Sequence, residues 1–266
     1  MRPRWIRPGW IAGFLAAGLL TAPAHAECRQ ALALGLDVSG SVDMWEYRLQ
    51  LDGLAAALRD PEVQEAFLLY PEAPVRLMVF EWSAQGHQRV VIGWQDMTGP
   101  ADLLAAAEVL RSTKSVPVNN PSTAIGAAMV FGATELQRQT ECWQMTLDIS
   151  GDGPANIGRH PRLIEPHETG PVIINGLVIG PDGPSNTTKN RHNVKSLMGY
   201  YQSYVIRGPG AFVMAALDYE DFAAARPRKL RRELQPAAVS DQRPTPAGTS
   251  VDIADLVGPV PFDPAQ

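Results

Sequence analysis

The five residues Leu32-Ala33-Leu34-Gly35-Leu36 carry no polar interruption, and the run stops abruptly at Asp37-Val38-Ser39-Gly40-Ser41. A strand with one face in water alternates apolar and polar residues, so a short run that does not alternate belongs to a strand covered on both faces. Sheets of that kind are mostly parallel, with helices packed on either side. The run therefore predicts the central strand of an α/β domain, and it places the DVSGS pentapeptide just past that strand's C-terminal end.

The rest of the chain agrees. Asp43 can cap a helix in which Tyr47, Leu51, Leu54, Ala55 and Leu58 recur at helical spacing until Asp60-Pro61 stops it. Residues 75–82 and 88–94 are rich in β-branched and aromatic side chains, and the four-residue turn at 83–86 forces them into an antiparallel hairpin. One strand of the sheet then runs opposite to the others. A helix is expected near 101–111, a loop near 117–121, and a second helix over 122–137 whose small residues Gly126, Ala127 and Ala128 permit close packing. Strands follow at 142–149, 172–179 and 211–217. A helix near 193–203 points Leu197, Tyr200, Tyr201 and Tyr204 inward, and a last helix opens at Asp218 and is interrupted at Arg226-Pro227.

The two ends read differently from this body. Arg2, Arg4 and Arg7 precede the apolar run 10–20 and the small-x-small pattern Ala24-His25-Ala26, the arrangement of a secretory signal cleaved after residue 26. No later segment approaches the roughly 20 apolar residues of a membrane span. Cleavage removes three arginines and no acid, so the formal charge of −5 becomes −8, which disfavours nucleic acid or anionic membrane as partner. The expectation is a periplasmic or secreted domain at 27–234, followed by a tail at 235–266 whose six prolines and missing helical period predict disorder. Export also permits a disulfide between the two remaining cysteines. Cys28 lies nine residues before Asp37 and Cys142 ten before Asp152. If their strands are adjacent and parallel, the two sit at nearly the same height, within bonding reach; otherwise they stay free thiols.

The chemistry gathers at one end of the predicted sheet. Asp37, Ser39 and Ser41 are a carboxylate and two hydroxyls at alternate positions of a tight loop, able to turn toward one point, with Gly40 relieving the crowding. The loop with Thr123 and the loop Ser150-Gly151-Asp152-Gly153 belong at the same end. Two carboxylates and three hydroxyls are hard oxygen ligands, suited to Mg2+ first and to Mn2+ or Ca2+ as alternatives.

This order of residues, DxSxS, then a threonine before a small-residue helix, then an aspartate before glycine, resembles the metal-ion-dependent adhesion site of von Willebrand factor A domains over most of residues 31–233. Within that superfamily, LDVSGSVD, FEWS, PSTAIGAA, DISGDGPAN, NGLVI and GPGAF with DYEDF resemble the DUF1194 family of exported bacterial proteins. The resemblance implies a doubly wound, Rossmann-like six-stranded sheet with one antiparallel edge strand. It also implies that the first and fourth strands are neighbours, as a Cys28–Cys142 disulfide requires. It assigns the metal to Asp37, Ser39, Ser41, Thr123 and Asp152, some directly and some through water, and leaves one coordination position for a carboxylate of a protein partner. Related domains have a Ser or Thr directly before the third-loop aspartate; here Gly151 intervenes, so direct ligation by Asp152 stays open and Asp148 is the fallback.

Other readings fit less well. A nucleophile elbow needs glycine where Asp37 stands, and His87, His160, His167 and His192 fall in predicted turns rather than beside Ser39. A zinc cluster of His160, Glu165, His167 and Glu168 lacks a helix to align it, since Pro161 and Pro166 intervene. An EF-hand starting at Asp148 has Arg159 at its twelfth position in place of glutamate. A purely structural envelope module, with the metal only stiffening the loops, is the alternative to partner binding; a metal-assisted hydrolase ranks below it.

Overall fold

A computed structural model describes residues 28–116, 120–180 and 188–235. The signal sequence expected at 1–26, the tail after Gln235 and part of the 117–121 loop lie outside the described residues. The elements are β1 (Cys28–Asp37), α1 (Met44–Arg59), α2 (Pro61–Phe67), β2 (Val75–Trp82), β3 (Gln88–Met97), α3 (Pro100–Ser112) and α4 (Ile125–Gln137). They continue with β4 (Cys142–Gly151), a short 3-10 turn (Pro161–Leu163), α5 (Pro166–Thr169), β5 (Ile173–Ile179), α6 (Thr188–Tyr204), β6 (Val213–Ala216) and α7 (Tyr219–Glu233).

The sheet has six strands in the order β3-β2-β1-β4-β5-β6, and every pair is parallel except β2–β3 at one edge. β1 is central and buried along its whole length, as its unbroken apolar run predicts. Its leucines Leu32, Leu34 and Leu36 pack with α1, α2 and α3 on one face. Ala31 and Ala33 pack with α4 and α6 on the other. That second face is held close by small residues. A Cβ on Gly132 of α4 would lie 2.5 Å from Leu147 of β4, and one on Gly35 would lie 2.7 Å from the Phe80 ring.

At the base of the sheet Cys28 and Cys142 stand directly opposite each other in the β1–β4 register and form a disulfide, their Cα atoms 4.6 Å apart. Asp43 caps α1 as predicted, accepting from the backbone N–H groups of Trp45 and Glu46, while Glu46 accepts from the Asp43 N–H.

Several boundaries differ from the sequence reading. Asp60-Pro61 ends α1 but also starts α2, because Asp60 caps the new helix and proline suits its first turn. Pro161 and Pro166 likewise begin helical turns rather than prevent them, which puts His167 in α5. His192 lies in α6, which starts earlier than expected. α4 begins at Ile125, leaving Ser122 and Thr123 in a loop. Pro227 sits inside an unbroken α7, because flanking residues Arg226 and Lys229 are tied into the core. Of the aromatic positions, Trp82 and Tyr201 are fully buried, whereas Tyr204 is about one-third exposed.

Candidate metal site at the end of the parallel strands

Three chain segments reach the C-terminal end of the sheet, and each is placed by local forces. β1 delivers Asp37, whose backbone carbonyl accepts from the side chain of Gln50 at 3.0 Å, tying the strand end to α1. The next loop then turns back tightly: Gly40 donates to Pro121 at 2.6 Å, and a Cβ there would meet Pro121 at the same distance, so only glycine lets the first and second loops touch. The second loop is locked to the third by a reciprocal pair. The Thr123 N–H donates to Asn156 Oδ1 at 2.8 Å, and the Asn156 N–H donates to the Thr123 carbonyl at 2.9 Å. Asn156 was not singled out from sequence; its position in the loop after β4 was the only signal available.

All five residues expected from sequence meet here. Ser39 Oγ lies 3.4 Å from Ser41 Oγ and accepts from Thr123 Oγ1 at 3.2 Å. Ser41 donates to Asp152 Oδ1 at 2.7 Å. Asp37 Oδ1 accepts from the Ser39 N–H at 2.8 Å. Gly151 thus does not keep Asp152 out of the constellation. Asp148, the fallback, points elsewhere: it is fully buried within β4 and paired with Arg226 and Lys229. Sequence also gave no hint of Tyr219, whose hydroxyl donates to Asp152 Oδ2 at 3.2 Å.

The site is graded from floor to mouth. Asp37, Ser39 and Thr123 are buried, Asp152 is half-buried and Ser41 is exposed. Among the described residues, no lysine or arginine forms an ion pair with Asp37. Its Oδ2 is buried without a well-formed hydrogen bond, although the Asp152 N–H lies close enough to favour the ionised carboxylate. Burial first, and the Asp152 charge second, push Asp37 up to about 8. Leaving a carboxylate oxygen buried without a partner costs several kcal/mol, in the range of about 1–3 and more for a charge. A divalent cation would relieve it, and a set of three hydroxyls and two carboxylates has the hard-oxygen character such a cation takes. Residues Asp37, Ser39, Ser41, Thr123 and Asp152 therefore fit the metal that the resemblance implies.

The alternative clusters dissolve on inspection. Glu168 pairs with Arg159 at 2.5 Å, and the His160 ring packs against Tyr200 and Tyr204. Among the described residues there is no group of three or more His, Cys, Asp or Glu side chains arranged to hold a metal. No described helix is long and apolar enough to cross a membrane.

Residues 27–238 match the model of DUF1194, described as a protein family of unknown function. The chain belongs to the DUF1194 family. No curated protein matches the sequence. Among solved structures, the pilus adhesin SpaC from Lactobacillus rhamnosus GG aligns with a TM-score of 0.51 at 12% identity, covering 78% of this chain and 31% of the adhesin. Proximal thread matrix protein 1 from the mussel byssus aligns at 0.49 and 14% identity, covering 79% and 47%. A von Willebrand factor type A protein from Catenulispora acidiphila aligns at 0.44 and 17% identity, covering 78% and 42%. The DUF1194 chain thus spans less than half the length of each. The likeness to SpaC is one of fold alone, a helix-flanked, mostly parallel sheet like the one described above.

Proposed function

We propose that this DUF1194 domain binds a divalent cation, Mg2+ in the first instance, at Asp37, Ser39, Ser41, Thr123 and Asp152, and through it a carboxylate of a protein partner. The observation that carries the reading is Asp37: a fully buried carboxylate, without a counter-ion among the described residues, facing a knot of three hydroxyls. When bound, the cation supplies Lewis acidity toward an incoming anionic oxygen. The chain's own residues do the rest. Three of the five groups are neutral hydroxyls, which add ligands without adding negative charge, and the exposed mouth at Ser41 and Asp152 gives a partner's carboxylate its approach.

No bond is broken in this reading. Ser39 Oγ has the hydroxyls of Ser41 and Thr123 as its partners, and a hydroxyl is not a base that could activate it. The domain acts outside the cytoplasm, where the Cys28–Cys142 disulfide persists. The test is capture of partners from an envelope extract by the immobilised domain. A partner retained with Mg2+ and released by chelator, and not retained by Asp37→Ala, supports the reading. Retention indifferent to both contradicts it.

A further inference from the structure

Helix α6 brings to the floor of this site a side chain that none of the three loops contains. Tyr201 is fully buried, and its hydroxyl has no hydrogen-bond partner. A phenol in that position carries the cost of an unmade hydrogen bond. Asp37 Oδ2 likewise lacks a well-formed hydrogen bond, and the two oxygens converge on one place. A Cβ built on Gly151 would lie 2.6 Å from the Tyr201 hydroxyl and 2.9 Å from Asp37 Oδ2. The two oxygens therefore face each other across a bare α-carbon, no more than about 5.5 Å apart, a span that one water closes.

The space, rather than the backbone, calls for glycine here, since Gly151 is outside the left-handed region. A second glycine completes the slot. A Cβ on Gly176 of β5, beside β4 in the sheet, would lie 2.6 Å from Cδ1 of the Tyr201 ring. Two adjacent strands thus give up their side chains to admit one phenol and deliver its hydroxyl beside Asp37. A phenol keeps its proton at neutral pH, which leaves the group a donor. The equivalent arrangement is already complete on the other carboxylate, where Tyr219 donates to Asp152.

We propose that Tyr201 is a positioning residue of the cation site, donating to Asp37 Oδ2 directly or through one water and fixing the direction of that carboxylate. An oxygen with two lone pairs can meet the phenol with one and face the ion with the other. The inference rests on the reading of the three loops as a cation site.

The test is Mg2+ titration calorimetry on the full chain, native and Tyr201→Phe, with thermal unfolding in chelator as the check on folding. Removing a hydrogen bond to a charged group predicts Mg2+ affinity about tenfold weaker in Tyr201→Phe. In the Tyr219→Phe background Mg2+ should also perturb the near-ultraviolet tyrosine absorbance, and adding Tyr201→Phe should abolish that signal. Native affinity in Tyr201→Phe, or an absorbance signal that survives its addition, overturns the role. The Tyr219→Phe measurement holds even if Tyr201→Phe does not fold, and a silent spectrum there overturns the proposal. A native chain that takes up no Mg2+ at all removes the cation-site reading itself, a separate outcome.

Discussion

A carboxylate at the end of a buried strand is satisfied either by a proton or by a positive partner, and Asp37 has no ion-pair partner among the described residues. Its folded value of about 8 stands well above the ordinary 3.8. Without a cation, the folded state holds a proton that the unfolded chain has released, so the Asp37 contribution to stability falls as pH rises from about 4 to about 8. A bound cation needs the ionised form, so affinity should fall about tenfold per pH unit below that value. The melting-temperature gain from Mg2+ over chelator is expected to grow between roughly pH 6 and 8.5 and then level off. A gain that is flat with pH, or equally steep in Asp37→Asn, would count against this account. Asp37, Ser39, Ser41, Thr123 and Asp152 were legible in sequence because they sit at fixed offsets from strand and helix ends. Tyr201, Tyr219 and Asn156 were not, since their roles come from tertiary contacts that no local spacing records.

At the scale of elements, α7 shows why sequence placed the strands better than the last helix. Apolar runs report burial directly, so β1 through β5 fell close to their predicted limits. Arg226-Pro227-Arg228-Lys229 reads as a charged, broken segment, yet Arg226 and Lys229 are fully buried. Both pair with Asp148, Lys229 at 2.7 Å, and Lys229 also pairs with Glu233 at 2.5 Å. Asn175 adds a hydrogen bond to Glu233 at 3.1 Å. These bonds bind α7 to β4 and β5 on either side of the proline, so the helix continues through it. Asp148→Ala strands the buried Arg226 and leaves Lys229 with Glu233 alone, and a loss of about 3–5 kcal/mol is expected in chemical denaturation. Mg2+ affinity of the folded fraction should stay native, because Asp148 takes no part in the site. A small stability loss, or a large affinity loss, would contradict that division of labour.

Across the whole molecule, β1 carries a fastening at each end: Cys28 opens it and Asp37 closes it, about 30 Å apart at strand rise. The disulfide joins residues 114 apart in sequence, and a loop of that size predicts stabilisation of about 2–5 kcal/mol. Cys28→Ser with Cys142→Ser should therefore unfold at clearly lower denaturant while binding Mg2+ as the native chain does. Unchanged unfolding would refute the structural role of the bridge. The pairing was within reach of the sequence because both cysteines sit at nearly matching distances from strand-end aspartates, once the resemblance set the first and fourth strands side by side.

Three loops at the top of the sheet are proposed to hold one divalent cation. Calorimetric titration of Mg2+ into the native chain and into Asp37→Ala tests it most directly. Saturable binding at a single site is expected in the native protein, weakened by at least about tenfold in Asp37→Ala with the fold retained. Absent binding in the native chain, or equal binding in both, would contradict it.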